Sequence, residues 1–221
     1  MTTVDWAWLV LALVIAAGLA AGTPVILRVL APPDDTEPGW SYAHACGRHF
    51  APVVGGATGI ALAIAFCFAP APTRPAWGVL GTLGVLLGAI DARTGYLPRR
   101  LTWLAAALAG IGACCGAWMS GEWLIAAQAF AGGAIGCAIL WAVWRVARGM
   151  GFGDVRLAAL IGLVAGTGGI MRALGGIAVG AILAAAAGIL RSSTGRGHEP
   201  YPFGPFLVAG PFLVLVLWHP G

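Results

Sequence analysis

The 221-residue chain is 60% hydrophobic and only 9% charged, whereas soluble domains carry roughly 25% charged residues. A water-soluble protein of this composition would expose large apolar patches and aggregate. The net charge of +4 rests on 12 basic residues, all of them arginine. No basic face interleaved with aromatic residues accompanies them, so we expect no nucleic-acid partner. The composition predicts an all-α, polytopic membrane protein whose first partner is the lipid bilayer.

Eight apolar segments predict a bundle of about eight transmembrane helices, since a spanning helix needs about 20 apolar residues. The segments are residues 6–30, 53–69, 77–90, 101–119, 124–147, 157–165, 170–190 and 203–218. We expect the first to be a retained span, because it is too long for a signal-peptide core and no basic residue precedes it. The sixth is short and broken by glycines. All of residues 1–221 are expected to form a single membrane domain.

The arginines predict the orientation of the spans, because inner loops of membrane proteins are enriched in basic residues. With the N terminus outside, only Arg74 and Arg172 flank the spans on the outer side. The ten arginines on the inner side are Arg28, Arg48, Arg93, Arg99, Arg100, Arg145, Arg148, Arg156, Arg191 and Arg196. We therefore expect both chain ends outside and residues 31–52 as a short cytoplasmic loop. Ten tryptophans, mostly near span ends, predict interfacial belts.

Two of the eight acidic residues adjoin apolar helices. Asp91 ends the third span, and Asp154 opens the sixth at the close of a glycine-rich run, residues 149–154. Two spans separate them, so both lie on one membrane face, which the arginine count makes cytoplasmic. Two close carboxyl groups do not easily both ionise, so one can act as a base and the other as an acid. Glycines beside a carboxylate at membrane depth indicate a pocket that substrate can reach.

Other interpretations of the aspartates stay open at this point. Asp91 can pair with Arg93, and Asp154 can pair with Arg156 or cap the helix that follows it. In another functional class, a small transporter or channel can use two aspartates as a proton or cation site. Transporters often show paired broken helices from internal repeats, and no second half of this chain repeats the first. The two aspartates together, on one face beside the glycine run, favour catalysis.

Three motifs resemble those of the bacterial type 4 prepilin peptidases. Residues 91–102 resemble the first catalytic motif of that family, and residues 151–157 resemble the second, the GxGD motif. Residues 201–210 are similar to the family's C-terminal Pro-Phe-Gly-Pro-Phe-Leu signature. The resemblance covers roughly residues 77–210, the expected peptidase core. Its motif residues are Asp91, Pro98, Gly151, Gly153, Asp154, Arg156, Phe203, Gly204 and Pro205.

The resemblance implies a GxGD-type aspartic endopeptidase of the bacterial inner membrane, with Asp91 and Asp154 as the catalytic pair. Such an enzyme removes the leader peptide from precursors of type IV pilins or type II secretion pseudopilins, at the cytoplasmic face. Hydrolysis by this pair needs no cofactor. Arg156 stands where the family usually has lysine, which keeps the charge but not the geometry.

Methylation of the new N terminus is a second activity of many family members. It is linked to a larger cytoplasmic domain with paired CxxC motifs, and it uses S-adenosylmethionine. Here the corresponding region is only residues 31–52, with Cys46 as its single cysteine. The resemblance therefore leaves methyltransferase activity open, and S-adenosylmethionine is expected as a cofactor only if that activity is retained.

The short loop also holds three side chains that zinc can use, His44, Cys46 and His49. Three nitrogen and sulfur ligands plus water would satisfy the ion. No fourth ligand is evident, and a solvated loop explains the same residues. We therefore assign no metal site.

Overall fold

Helices are the only regular structure in the described residues, which are 6–33, 36–37, 39–146, 151–193 and 201–218 of a computed structural model. In chain order the helices are α1 (Trp6–Val29), α2 (Tyr42–Cys46), α3 (Phe50–Phe68), α4 (Arg74–Val79), α5 (Val85–Thr94), α6 (Arg99–Ser120), α7 (Trp123–Val146), α8 (Phe152–Gly166), α9 (Ile170–Ser193) and α10 (Gly204–Leu217). The all-α prediction is confirmed.

Six helical segments are long and apolar enough to cross a membrane, which confirms a polytopic membrane protein. They are Trp6–Val29, Phe50–Phe68, Ala71–Thr94, Arg99–Ser120, Trp123–Val146 and Ile170–Ser193. The other two of the eight expected segments are α8 and α10, of 15 and 14 residues. At about 1.5 Å per residue these two helices are about 21–23 Å long, less than the roughly 30 Å of a bilayer core.

The third segment is longer than the sequence pattern indicates. It begins with a 3₁₀ turn over Ala71–Thr73, and a π-helical turn over Leu80–Gly84 joins α4 to α5. The helix continues past the expected limit at residue 90 and ends at Thr94, because Gly95 adopts a left-handed conformation with φ of 69°. Glycine takes that conformation without a Cβ clash and commonly ends helices. Asp91 is therefore inside the last turn of α5 and does not follow the helix.

Helix α8 is the central element of the bundle. It begins at Phe152, five residues before the expected limit, because extended Gly151 precedes it as the N-cap. It packs against α6, α7, α9 and α10, and 11 of its 15 residues are buried. A helix that is apolar on all sides is typical of such a position.

Helices α7 and α8 approach each other at backbone distance. A Cβ atom on Gly162 would collide with the carbonyl oxygen of Gly132, and a Cβ on Gly166 would meet the carbonyl oxygen of Gln128 at 2.6 Å. Glycines spaced four apart permit this approach where lipid offers no hydrophobic drive for helix association. The pairing of these two helices fixes α8, and with it the residue Asp154 near its start.

Some assignments made from sequence lie outside the described residues. They concern both chain ends, the arginines Arg148 and Arg196, and Gly149 and Met150 of the glycine-rich run.

Candidate active site

Asp91 lies in the last turn of α5 with its side chain inside the protein, only 5% exposed. Its backbone carbonyl accepts a hydrogen bond of 2.8 Å from the amide of Gly95, which caps the helix. Helix α6 starts after Pro98, whose carbonyl accepts hydrogen bonds from the amide and the hydroxyl of Thr102 at 3.0 and 2.9 Å. The first motif is therefore a tight helix–turn–helix that holds a carboxylate near the end of a helix.

Asp154 lies in the first turn of α8 and is 7% exposed. Its amide donates a hydrogen bond of 3.1 Å to the carbonyl of Gly151, and the positive end of the helix dipole favours an acid at this position. The neighbouring Gly153 faces the turn after α5, where a Cβ atom would lie 2.9 Å from the Cβ of Leu97. A larger residue at position 153 would push the first two motifs apart.

The two aspartates lie at the same end of the bundle, because Gly153, next to Asp154, packs on Leu97 in the turn that follows the helix of Asp91. Within the described part of the chain, neither carboxylate forms an ion pair with an arginine. Pairing with Arg93 or Arg156 therefore does not account for them. Buried acids without a cation are costly, and ionisable groups of this kind in membrane helices usually have a functional reason.

The third motif reaches Asp91 through its backbone. The amide of Gly204 donates a buried hydrogen bond of 2.7 Å to Oδ2 of Asp91, across 113 residues of sequence. A Cβ atom on Gly204 would lie 2.7 Å from the same oxygen and 2.9 Å from the Cβ of Asp91. This position therefore has no room for a side chain, and its N–H fixes the orientation of the carboxylate.

The residues around Gly204 position α10 against α5. Phe203 is the N-cap of α10 and packs against the core, and Pro205 follows Gly204 in the first turn, where proline is tolerated. Gly88, one turn before Asp91, lets the two helices meet, because a Cβ on it would lie 3.3 Å from the Cα of Pro205. The four-residue spacing of Gly84 and Gly88 is the sequence signal for such a close approach, but it does not identify α10 as the partner.

Arg156 lies one half-turn beyond Asp154 on α8. Its Nε and Nη1 atoms are buried and have no hydrogen-bond partner in the described residues. The guanidinium carbon lies 5.8 Å from the centroid of the Phe152 ring. The arginine thus carries unused donors at the same end of the bundle as the two carboxylates.

Trp40 and α2, between α1 and α3, form an aromatic cover at this end of the bundle. Helix α2 packs against α5, and Tyr42 is 1% exposed. The Trp40 ring packs edge-on against Tyr42 and Tyr96, with centroids 4.7 and 5.8 Å away. Burial raises the pKa of Tyr42 to about 12, so its hydroxyl stays neutral at physiological pH. The aromatic residues in this otherwise polar loop are the sequence signal from which this aromatic cover could have been predicted.

The three candidate zinc ligands of the loop do not converge on one point. His44 Nδ1 lies 3.0 Å from the hydroxyl of Ser41, and His49 Nε2 accepts a hydrogen bond of 3.0 Å from Arg48. Cys46 is completely buried, and burial raises the pKa of its thiol. Among the described residues, no group of three potential ligands is close enough to hold a metal ion.

Comparison with known proteins assigns the segment that contains the two aspartates to a protein family. The family model described as the type IV leader peptidase family matches residues 78–191, which include Asp91 and the GxGD segment. The chain belongs to the type IV leader peptidase family. The motif around Gly204 lies beyond the matched residues, and its hydrogen bond joins it to the family's segment.

Curated relatives of this leader peptidase family member carry the name prepilin leader peptidase/N-methyltransferase. Two come from strains of Burkholderia pseudomallei and are 34% identical over 149 residues, 63% of this chain and 46% of theirs. One from Xanthomonas campestris pv. campestris is 33% identical over 144 residues, 62% of this chain and 47% of its own. The chain spans about half the length of these relatives. No solved structure matches it.

Proposed function

We propose that this protein is an aspartic endopeptidase that removes the leader peptide from type IV prepilins or type II secretion pseudopilins. The observation that carries the proposal is that two buried carboxyl groups, Asp91 and Asp154, lie at the same end of the bundle with no arginine paired to either in the described residues. Membership of the leader peptidase family and the names of the curated relatives support the substrate class. The arginine distribution supports cleavage at the cytoplasmic face.

The proposed reaction is a hydrolysis in which the two aspartates share one proton. The ionised carboxylate takes a proton from a water molecule, and the water oxygen attacks the scissile carbonyl carbon. The protonated partner donates its proton to the carbonyl oxygen, which gives a tetrahedral diol. Collapse of the diol breaks the carbon–nitrogen bond, and the leaving amine takes up a proton. Because the pair titrates as a unit, neither role belongs to one aspartate, and water is the only co-reactant.

The buried hydrogen bond from Gly204 supports this mechanism. A fixed donor to Oδ2 of Asp91 stabilises negative charge on that oxygen. It also holds the carboxylate in one orientation throughout the reaction. The unused donors of Arg156 lie at the same end of the bundle as the pair and suit the backbone carbonyl oxygens of an extended peptide.

We expect Asp91→Asn and Asp154→Asn each to reduce precursor cleavage by at least about 100-fold, since acid–base catalysis contributes roughly 10²–10⁴. The measurement is co-expression with candidate prepilins and pseudopilins, followed by mass spectrometry of the mature N terminus. The same spectrum reports the cleaved bond and any added methyl group.

The matched control is Glu122→Gln, which removes an exposed acid from the turn between α6 and α7 at the opposite end of the bundle. It should cleave at the wild-type rate. Both aspartate variants must insert and purify as the wild type does. Normal cleavage by either one would refute the paired mechanism.

A further inference from the structure

A lipid-facing pocket lies at the end of the bundle opposite to the aspartates. It has a volume of about 550 Å³, within the roughly 300–1,000 Å³ that is typical of small-molecule sites. Its wall is almost entirely apolar and comes from α1, α3, the 71–73 turn, α4 and α6. The residues that matter below are Trp8, Ile15, Phe66, Arg74, Gly78 and Met119.

The pocket extends from the level of the membrane interface toward the bilayer centre. Trp118 and Met119, near the end of α6, are 75% and 82% exposed, as expected for an interfacial belt. On α1 the lining runs from Trp8 to Ile15, a depth of about 10 Å at about 1.5 Å per residue. An alkyl chain lying along this wall would remain out of water.

The single charged residue of the lining is Arg74, which stands at the interfacial end. Its Nε donates a hydrogen bond of 3.2 Å to the carbonyl of Ala69, and its guanidinium carbon lies 4.9 Å from the centroid of the Trp8 ring. These contacts fix the guanidinium group, which lowers the entropy lost on binding. The two Nη nitrogens have no acceptor in the described residues.

A fixed guanidinium group with free donors is well suited to a phosphate, which it can bind with two parallel hydrogen bonds. An apolar slot that begins at this group and continues into the bilayer is suited to an acyl chain. Arg74 forms no ion pair with an acid of the described residues, and its positive charge is complementary to an anion.

We propose that this pocket binds one phospholipid, with its phosphate on Arg74 and an acyl chain along Trp8, Phe66 and Gly78. The inference does not depend on the proposed peptidase activity, because the pocket and the aspartates lie at opposite ends of the bundle. A substitution at Gly78 can fill the pocket, since a Cβ atom there meets nothing within 4 Å. A leucine at this position therefore fits the helix and fills the space of the acyl chain.

The test is native mass spectrometry of the full-length protein, delipidated in detergent and titrated with dioleoyl phosphatidylglycerol. We expect one bound lipid on the wild type. Arg74→Gln should weaken that binding about tenfold, and Gly78→Leu should abolish it. Dioleoylglycerol, which has the same chains and no phosphate, should bind at least about tenfold more weakly than the phospholipid.

Two matched controls separate the pocket from general effects. Arg172→Gln removes an arginine at the same end of the bundle, and Gly56→Leu adds a leucine at an exposed, uncrowded position of α3. Both should bind the phospholipid as the wild type does. The proposal is overturned if all four variants bind equally, if dioleoylglycerol binds as tightly as the phospholipid, or if the wild type binds no lipid because a chain segment fills the pocket.

Discussion

Gly204 shows how a residue without a side chain can belong to the proposed catalytic site. It supplies the buried N–H that meets Oδ2 of Asp91 at 2.7 Å. The same position forbids a Cβ atom, which would sit against the carboxylate that the amide orients. This position therefore needs both a backbone N–H donor and the absence of a Cβ atom, and only glycine meets both requirements.

We expect Gly204→Ala to reduce precursor cleavage at least about tenfold, because the added methyl group must displace either the amide or the Asp91 carboxylate. The measurement is the cleavage rate in detergent or in vesicles. The control is Gly56→Ala, where the new Cβ meets nothing within 4 Å. A Gly204→Ala enzyme with the melting temperature and the cleavage rate of the wild type would show that this contact is not needed.

Because charged residues are rare in this chain, the two aspartates could be recognised from the sequence. The residues that surround them could not. An acid beside an apolar helix is conspicuous in a chain with eight acids. The Gly204 hydrogen bond joins residues 113 positions apart, and no local pattern encodes such a pairing. The contact of Gly153 with Leu97 was hidden for the same reason, since the motif that contains Gly153 does not indicate Leu97 as its neighbour.

At the scale of helices, the position of α8 depends mainly on its packing against α7. The two backbones touch at Gly132 and Gly162, and this approach holds the start of α8 in place. The helix limits were harder to predict than the helices themselves. Apolar content locates a span, whereas Gly95 and Gly151 decide where α5 ends and α8 begins.

We expect Gly162→Ala to destabilise the protein by about 1–3 kcal/mol, the usual penalty for forcing extra volume into a packed interior. The added methyl group would collide with the carbonyl oxygen of Gly132 and separate α7 from α8. The measurement is thermal unfolding in detergent.

The comparison variant for this measurement is Gly18→Ala in α1. Its Cβ has open space, and alanine favours a helix over glycine by up to about 1 kcal/mol. Its melting temperature should be unchanged or higher. Equal melting temperatures for Gly162→Ala and the wild type would contradict close α7–α8 packing.

Across the whole molecule, the two ends of the bundle differ in chemistry. One end holds the aspartates, Arg156 and the aromatic cover formed by Trp40, Tyr42 and Tyr96. The other holds the apolar pocket and Arg74. Hydropathy and arginine counts are sufficient to expect a polytopic bundle with two unlike faces. A cavity between helices depends on how they pack, and the sequence alone did not indicate it.

The proposed orientation can be measured with single cysteines at the two ends. In a chain whose five native cysteines are replaced by alanine, Ala45→Cys and Glu122→Cys place exposed thiols on α2 and in the α6–α7 turn. A membrane-impermeant maleimide should label position 122 on the periplasmic side and reach position 45 only after the inner membrane is permeabilised. The reverse pattern would invert the assigned faces.

The hydrogen bond from Gly204 to Asp91 also sets the order in which the site can form. The two residues are 113 positions apart, and a ribosome adds about 5–20 residues per second. Roughly 6–23 s of synthesis therefore separate the appearance of the carboxylate from that of its amide donor. During the last 50 residues of that interval, from Asp154 to Gly204, the nascent chain carries both aspartates but not the group that orients one of them. Precursor processing would thus begin only after α10 has joined the bundle.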